Sequence, residues 1–355
     1  MAYRVIQWAT GTAGKFALRA IINRPELELA GVVVHSAEKV GMDAGKLLGG
    51  AAVGVEAISE LHDVIDLEAD CVSYMPLPSL AQGSWADLDI ICALLESGKN
   101  VVTTVGFLYP SALGDGVLER LNAACRKGHS TLHGTGLNPG FMSDMLPLIA
   151  SGLCAKLERI YARECSDVTD YPSEGIVFDT IGLGREVGIE SKAVADFRHF
   201  LKLTFTESAH LLAHGLGVEL DGVDAAEEHV VADRDYETLA GTVRAGTVRA
   251  SRWTYTGRAL GRELIALDAI YQVGGLESPA WHSPGMAVVI DGKPRVSIDL
   301  GREWLSNGLL ATAAHAINAI PLVCDAGPGV KTMLDLPLPR AILGDMRLYL
   351  EDELC

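Results

Sequence analysis

Apolar and polar positions in the first third of the chain follow two alternating patterns. The runs 4–8 (RVIQW), 27–34 (LELAGVVV), 71–74 (CVSY), 100–104 (NVVTT) and 130–133 (STLH) are short and mostly apolar, which predicts strands. Between them, 13–23 carries apolar residues at 16–18 and 20–22, a broad helical face, and 88–96 and 116–127 also read as helices. Arg24-Pro25 ends the first helix and Gly98-Lys99-Asn100 turns the chain before the fourth strand. Buried-looking strands alternating with helices predict a parallel sheet covered on both faces.

The middle of the chain changes pattern. The run 160–165 (IYAREC) reads as a strand and 190–216 as a long helix. From 227 to 303 strand-like runs succeed one another, including 265–273 and 286–300, and this order predicts a mostly antiparallel sheet in a second, α+β domain. The segment GTVRAGTVRA (241–250) writes one five-residue unit twice; an odd period flips strand faces, so it is read as chance or a local bulge. A helix is expected over 308–320, before Gly327-Pro328-Gly329 breaks the chain.

Length and charge narrow the classes. At 355 residues the chain is too long for one ordinary core, so two domains are expected. A formal net charge of -17 argues against general nucleic-acid binding, which needs concentrated Lys and Arg. An anionic cofactor stays possible, because backbone amides at a helix start hold phosphate without basic side chains. The seven cysteines are scattered with no CxxC spacing, so reduced thiols in a cytoplasmic protein are expected, without a zinc ribbon or redox motif. No apolar leader precedes VIQWATG and no run approaches about 20 apolar residues, so neither a signal peptide nor a membrane span is expected.

The chemistry starts at VIQWATGTAGK (5–15), a strand, a glycine turn and a helix, followed by a second strand. The dinucleotide fingerprint is G-x-G-x-x-G; here Ala9 stands at the first glycine, while Gly11 and Gly14 keep the second and third. The second glycine lets backbone approach a pyrophosphate and the third allows close helix–strand packing. A methyl at position 9 is tolerable if φ stays negative. The alternative is an ordinary βα turn with no ligand. An α/β Rossmann domain is therefore expected. No carboxylate sits at the tip of the second strand to bind ribose hydroxyls. Ser36 can bond a 2′-phosphate, and Lys39 or a protonated His35 can balance its charge, which favours NADP. If Glu38 bends back to the ribose instead, the cofactor is NAD.

Ligands of open parallel sheets bind beyond the carboxyl ends of the strands. That rule selects Met75-Pro76-Leu77, Thr103-Thr104-Val105-Gly106 and the segment 134–141 (GTGLNPGF). Together VIQWATGTAG, NVVTT and HGTGLNPGF resemble the dihydrodipicolinate-reductase-like oxidoreductases, closest to the 2,4-diaminopentanoate dehydrogenases and native amine dehydrogenases. The resemblance covers most of the chain. It implies an NAD(P)-binding Rossmann domain, over 1–140; the chain pattern itself leads us to expect 305–335 to pack back on that domain. The resemblance also implies a substrate and dimerisation domain over 141–304 and a homodimer. The implied reaction is hydride transfer between the nicotinamide and the carbon of a small amine, imine or ketone. Carried over, Gly11, Thr12, Ala13 and Gly14 bind pyrophosphate and Ser36 lies at the adenosine ribose. Met75, Pro76, Thr103 and Asn138 line the path to the nicotinamide.

One departure counts. The family pattern places a glutamate just after the TT pair, to hold or deprotonate ammonia, and here TTVGFLYP has none. An NADP-dependent carbonyl or imine reductase without ammonia use, or a non-catalytic dinucleotide sensor, therefore stands beside the amine dehydrogenase reading. A proton donor is needed within hydrogen-bond reach. The segment 166–175 (SDVTDYPSEG) offers Tyr171 as donor and Asp170 to orient an amine, or else exposed loop residues. Tyr109 and His133 are weaker candidates and read as structural. His210 and His214 in HLLAH have metal-ligand spacing but lack the glutamate of HExxH, so no metal is expected. The aromatics Trp253, Tyr255 and Tyr271 at strand spacing read as core or interface. A cysteine nucleophile is a poor reading, with Cys165 alone near a cleft segment.

Overall fold

A computed structural model describes residues 2–275 and 281–341. The chain opens with β1 (Tyr3–Trp8), α1 (Thr12–Asn23), β2 (Leu27–Val33), α2 (Ala44–Leu47), β3 (Ala57–Ile58), α3 (Leu61–Asp66) and β4 (Cys71–Tyr74). It continues with α4 (Ala86–Glu96), β5 (Asn100–Thr103), α5 (Asp115–Gly128) and β6 (Thr131–Gly134). Then come α6 (Met145–Ser151), β7 (Lys156–Asp167), the 24-residue α7 (Lys192–Gly215), β8 (Gly222–Val231), and the β9 (Tyr236–Thr238) and β10 (Gly241–Val243) hairpin. The long strands β11 (Val248–Ala259), β12 (Arg262–Gln272), β13 (Gly285–Lys293) and β14 (Val296–Gly301) follow, then α8 (Glu303–Ser306), α9 (Gly308–Cys324) and β15 (Gly329–Val330).

The chain divides into two compact units. One holds residues up to Pro78, Trp85–Leu137 and the chain from Leu309; the other holds Ser79–Ser84 and Asn138–Gly308. The first unit is a seven-stranded sheet in the order β15-β6-β5-β4-β1-β2-β3, all pairs parallel. One face buries Ile6, Trp8, Val72, Tyr74, Val101 and Leu132 with apolar residues of α4 and α5. The other buries Val5, Cys71 and Val102 under α1 and α9. Both faces are covered, which is why the strands read as unbroken apolar runs. The order reverses at β1, whose neighbours β4 and β2 lead in opposite directions, and ligands of such sheets bind at that reversal.

The second unit is a six-stranded sheet, β14-β13-β7-β12-β11-β8. Four of its pairs are antiparallel and β7–β12 is parallel. The single run expected over 286–300 is two strands, parted at Lys293-Pro294, because proline cannot donate to a ladder. Helix α7 packs its Phe205 ring on Tyr255 at 5.1 Å and Phe197 edge-on to Trp253, so these aromatics are core. Gly83 lies against the Asp196 carboxylate of α7, which ties Ser79–Ser84 to this unit. Among the described residues no helix is long and apolar enough to cross a membrane.

Candidate active site

In the first unit β1 ends in a turn built by Gln7 and Ala9. The Gln7 amide Nε2 donates to the carbonyls of Trp8 (3.1 Å) and Ala9 (3.0 Å), and the Ala9 amide donates to Val33 O at 2.9 Å. Ala9 stands at φ +75°, not at the negative φ expected for an alanine there. The left-handed backbone costs an L-residue about 1–2 kcal/mol. The Gln7 clamp and burial of the Ala9 methyl beside Trp8 and Val33 hold it in place. So the alanine adopts the turn the missing glycine would make.

Helix α1 begins just beyond, capped by Gly11, with no side-chain acceptor for its first N–H groups and no acidic residue in its first turn. Unpaired amides and the positive end of the helix dipole make this an anion site. A Cβ at Gly11 would meet nothing within 4 Å, so that side of the turn is open. A Cβ at Gly14 would drive into the Ala9 carbonyl oxygen, so only glycine lets α1 lie this close to β1. Thr12 and Ala13 lie in this first turn between the two glycines.

At the tip of β2, Ser36 starts a single 3-10 turn, Ala37–Lys39, and the Lys39 amide donates to Ser36 O at 3.0 Å. Ser36 and Lys39 therefore flank one turn, with exposed His35 and Glu38 beside them. Met75 is buried and Pro76 half-buried after β4. Thr103 has no exposed surface; its hydroxyl accepts from the Val105 amide at 3.2 Å, and Thr104 is the member of the pair that keeps surface. The turn that lacks the family glutamate is instead sealed. Gly106 and Phe107 both take positive φ, and their carbonyls press over Gly134, where no side chain would fit. The Phe107 ring is buried. His133 is buried too, its Nδ1 bonded to Lys331 O at 2.8 Å, and burial holds it below its ordinary pKa.

The second unit carries a different cluster. Asn138 Nδ2 donates to Glu164 Oε2 at 2.7 Å, Ser166 Oγ donates to Glu164 Oε1 at 2.9 Å, and Ser143 Oγ donates to Asn138 Oδ1 at 2.5 Å. Burial raises the Glu164 carboxyl above its usual range, against the opposing pull of those two donors. Asp144, fully buried, accepts from the Gly140 amide, and burial pushes it up to about 6. Asn138, expected on the nicotinamide path, thus has both ends of its amide engaged inside this unit. Neither Glu164 nor Asp144 was picked out by sequence reasoning. A glutamate inside a strand-like run reads as solvent-facing, and only the ladder shows that it lies between Ala269 and Met286.

Asp170 and Tyr171 lie on the exposed turn after β7, Tyr171 being 40% exposed, and neither side chain has a hydrogen-bond partner among the described residues. Cys165 is buried, accepts from Gln272 Nε2 at 3.2 Å, and its thiol is pushed up to about 12, so it is no nucleophile at neutral pH. Along α7, His210 is half-buried and His214 exposed, and no metal-binding cluster forms among the described residues.

Residues 141–352 match the family model of the 2,4-diaminopentanoate dehydrogenase C-terminal domain. The chain belongs to this family. It is 29% identical to an amine dehydrogenase of Streptomyces virginiae, over 95% of this chain and 97% of that protein. It is 27% identical to the 2,4-diaminopentanoate dehydrogenase of Acetoanaerobium sticklandii, over 83% of this chain and 82% of that one. An amine dehydrogenase structure from Mycobacterium smegmatis shares the fold with a TM-score of 0.78 at 19% identity, covering 96% of this chain and 98% of that chain. A probable dehydrogenase from Thermotoga maritima does so at 0.59 and 16% identity, covering 94% and 92%. This member of the 2,4-diaminopentanoate dehydrogenase family is a pyridine-nucleotide-dependent oxidoreductase.

Proposed function

We propose that the protein is an NADP(H)-dependent amine dehydrogenase that interconverts a small ketone or imine and its amine. The observation that carries this reading is the open, uncapped start of α1 behind the Gln7–Ala9 turn, which fits a pyrophosphate. Bound there, the dinucleotide would supply the hydride chemistry. Gly11, Thr12, Ala13 and Gly14 would hold the pyrophosphate through backbone amides. Ser36 and Lys39, on one turn, would take the 2′-phosphate. On this reading the first unit binds the dinucleotide and the second takes the substrate and the homodimer contact.

The amine-handling group we favour is Glu164. Its raised pKa makes it a better base than an exposed carboxylate, and Asn138 and Ser166 fix its oxygens. Asp170 and Tyr171, unpartnered, are proposed as the groups left to orient an amine or protonate a carbonyl oxygen. The sealed TTVGF turn supports a second reading, a reductase acting on a ketone or preformed imine without ammonia.

Cofactor oxidation across a panel of small ketones, with and without ammonium, separates the readings. Turnover only with ammonium supports the amine dehydrogenase; turnover with ketone alone supports the reductase. Cofactor binding without any turnover would leave a sensor. The cofactor choice is checked by titration: Lys39→Ala is expected to weaken NADPH binding about tenfold, a charge-assisted contact's worth, with NADH binding unchanged. Equal loss for both cofactors would count against NADP.

A further inference from the structure

One face of the seven-stranded sheet carries a buried polar row. The register sets Gln7 beside Ser73, Ser73 beside Val102, and Val102 beside His133. Neighbours paired this way point to the same face of a parallel sheet. That face lies under α1 and α9, where Val5, Cys71 and Val102 pack with Ala313, Ala316 and Ile317. Gln7 and Ser73 have no exposed surface and His133 has 2%. Gln7 Oε1, Ser73 Oγ, His133 Nε2 and, from α9, Asn318 Oδ1 are all buried without a hydrogen-bond partner among the described residues.

Their chemistry does not let them satisfy one another. Gln7 Nε2 is committed to two carbonyls, so Oε1 is left as an acceptor. His133 Nδ1 meets the Lys331 carbonyl and so carries the proton, which leaves Nε2 an acceptor as well. Asn318 Oδ1 is a third. The donors on these side chains are the Ser73 hydroxyl, the Asn318 Nδ2 amide and at most one ring proton of His315, whose Nδ1 meets Thr135 Oγ1 at 2.8 Å. The row is long: at about 4.8 Å per strand, Gln7 and His133 lie roughly 14 Å apart, too far for one side chain to serve both ends. Buried polar atoms left like this are rare in folded proteins, and water is their usual partner.

We propose that this layer is an internal water-binding site between the sheet and α9. About two or three ordered waters donate to Gln7 Oε1, His133 Nε2 and Asn318 Oδ1 and are bridged by the Ser73 hydroxyl, each making the usual three or so hydrogen bonds. Ala313 and Ala316 are the small α9 side chains in the buried cluster on this face. One end of the site is the Gln7 amide, so the same waters fix the clamp that shapes the Ala9 turn.

A crystal structure of the whole protein, at a resolution that orders buried solvent, tests this directly. Waters within hydrogen-bond distance of at least three of the four atoms are expected. Direct side-chain pairing, or a layer without ordered solvent, overturns the proposal. Thermal unfolding of Ser73→Ala gives an independent sign. If the hydroxyl bridges bound water, its loss lowers Tm by about 2–4 °C. If the layer is dry, removing an orphaned hydroxyl raises Tm, and the proposal fails.

Discussion

Ala9 shows how one residue departs from a pattern and keeps its geometry. Replacing it by glycine would relieve about 1–2 kcal/mol of left-handed strain. It would also cost about 0.5–1 kcal/mol of chain entropy and about 0.8 kcal/mol for the buried methyl. These nearly cancel, so Ala9→Gly is expected to shift the denaturant midpoint little and to leave dinucleotide affinity intact; a loss of several kcal/mol would show that the turn depends on the methyl. Glu164 carries the matching prediction for chemistry. Glu164→Gln keeps the size and can still accept from Asn138, but removes the base. Ammonia-dependent turnover should fall by 10²-fold or more, within the usual range for a lost general base, with the dinucleotide Kd unchanged. Equal activity would hand the role to Asp170 or Tyr171. The sequence shows little of this scale. Gln7 is one polar letter in an apolar strand and Glu164 one acid in another, and only the folded packing shows Gln7 without exposed surface and Glu164 held by Asn138 and Ser166.

At the scale of elements, the β1–α1–β2 start was legible because each piece carries its own signal: an apolar run, spaced glycines, then a helical face. The two glycines of α1 nevertheless do different work, and substitution separates them. Gly11→Ala places its methyl in open space at an ordinary backbone conformation, so the fold should hold within about 1 kcal/mol, the scale of a cap exchange. Dinucleotide binding should weaken at least tenfold, because the methyl occupies the side the pyrophosphate would approach. Gly14→Ala must push α1 off the Ala9 carbonyl, and its first symptom should be a lowered Tm. Calorimetric titration beside thermal unfolding distinguishes them, and a normal Kd for Gly11→Ala would remove the phosphate assignment. Other elements were not legible. β3 and β15 have two residues each, too few to show a period, and both sit at sheet edges. The parallel β7–β12 pair was hidden because β7 is separated from β12 by α7 and a run of later strands.

At the scale of the whole molecule, buried histidines and buried carboxyls have pH responses that oppose each other. In the first unit burial lowers His315 from 6.5 to about 4, with His133 lowered as well. Groups shifted down are neutral when folded, so their contribution is complete above about pH 6.5 and falls away as pH drops towards 4. In the second unit burial raises Asp144 from 3.8 to about 6. A group shifted up contributes most below its unfolded value, so this stability is lost as pH rises from about 4 through 6. Each gap of roughly two pH units is worth about 3 kcal/mol at 1.36 kcal/mol per unit. Asp144→Asn removes the ionisation while keeping an acceptor for Gly140. Its Tm should exceed that of the parent protein at pH 8, and the advantage should shrink by pH 5. His315→Gln should flatten the acid side alone, between pH 6.5 and 4. Melting both variants across this range measures the share of each limb that its group carries, beside His133 on the acid limb and Glu164 on the other. If Asp144→Asn instead lowers Tm most at pH 8, the carboxylate is ionised and stabilising there, and the burial that separates the two limbs does not govern them.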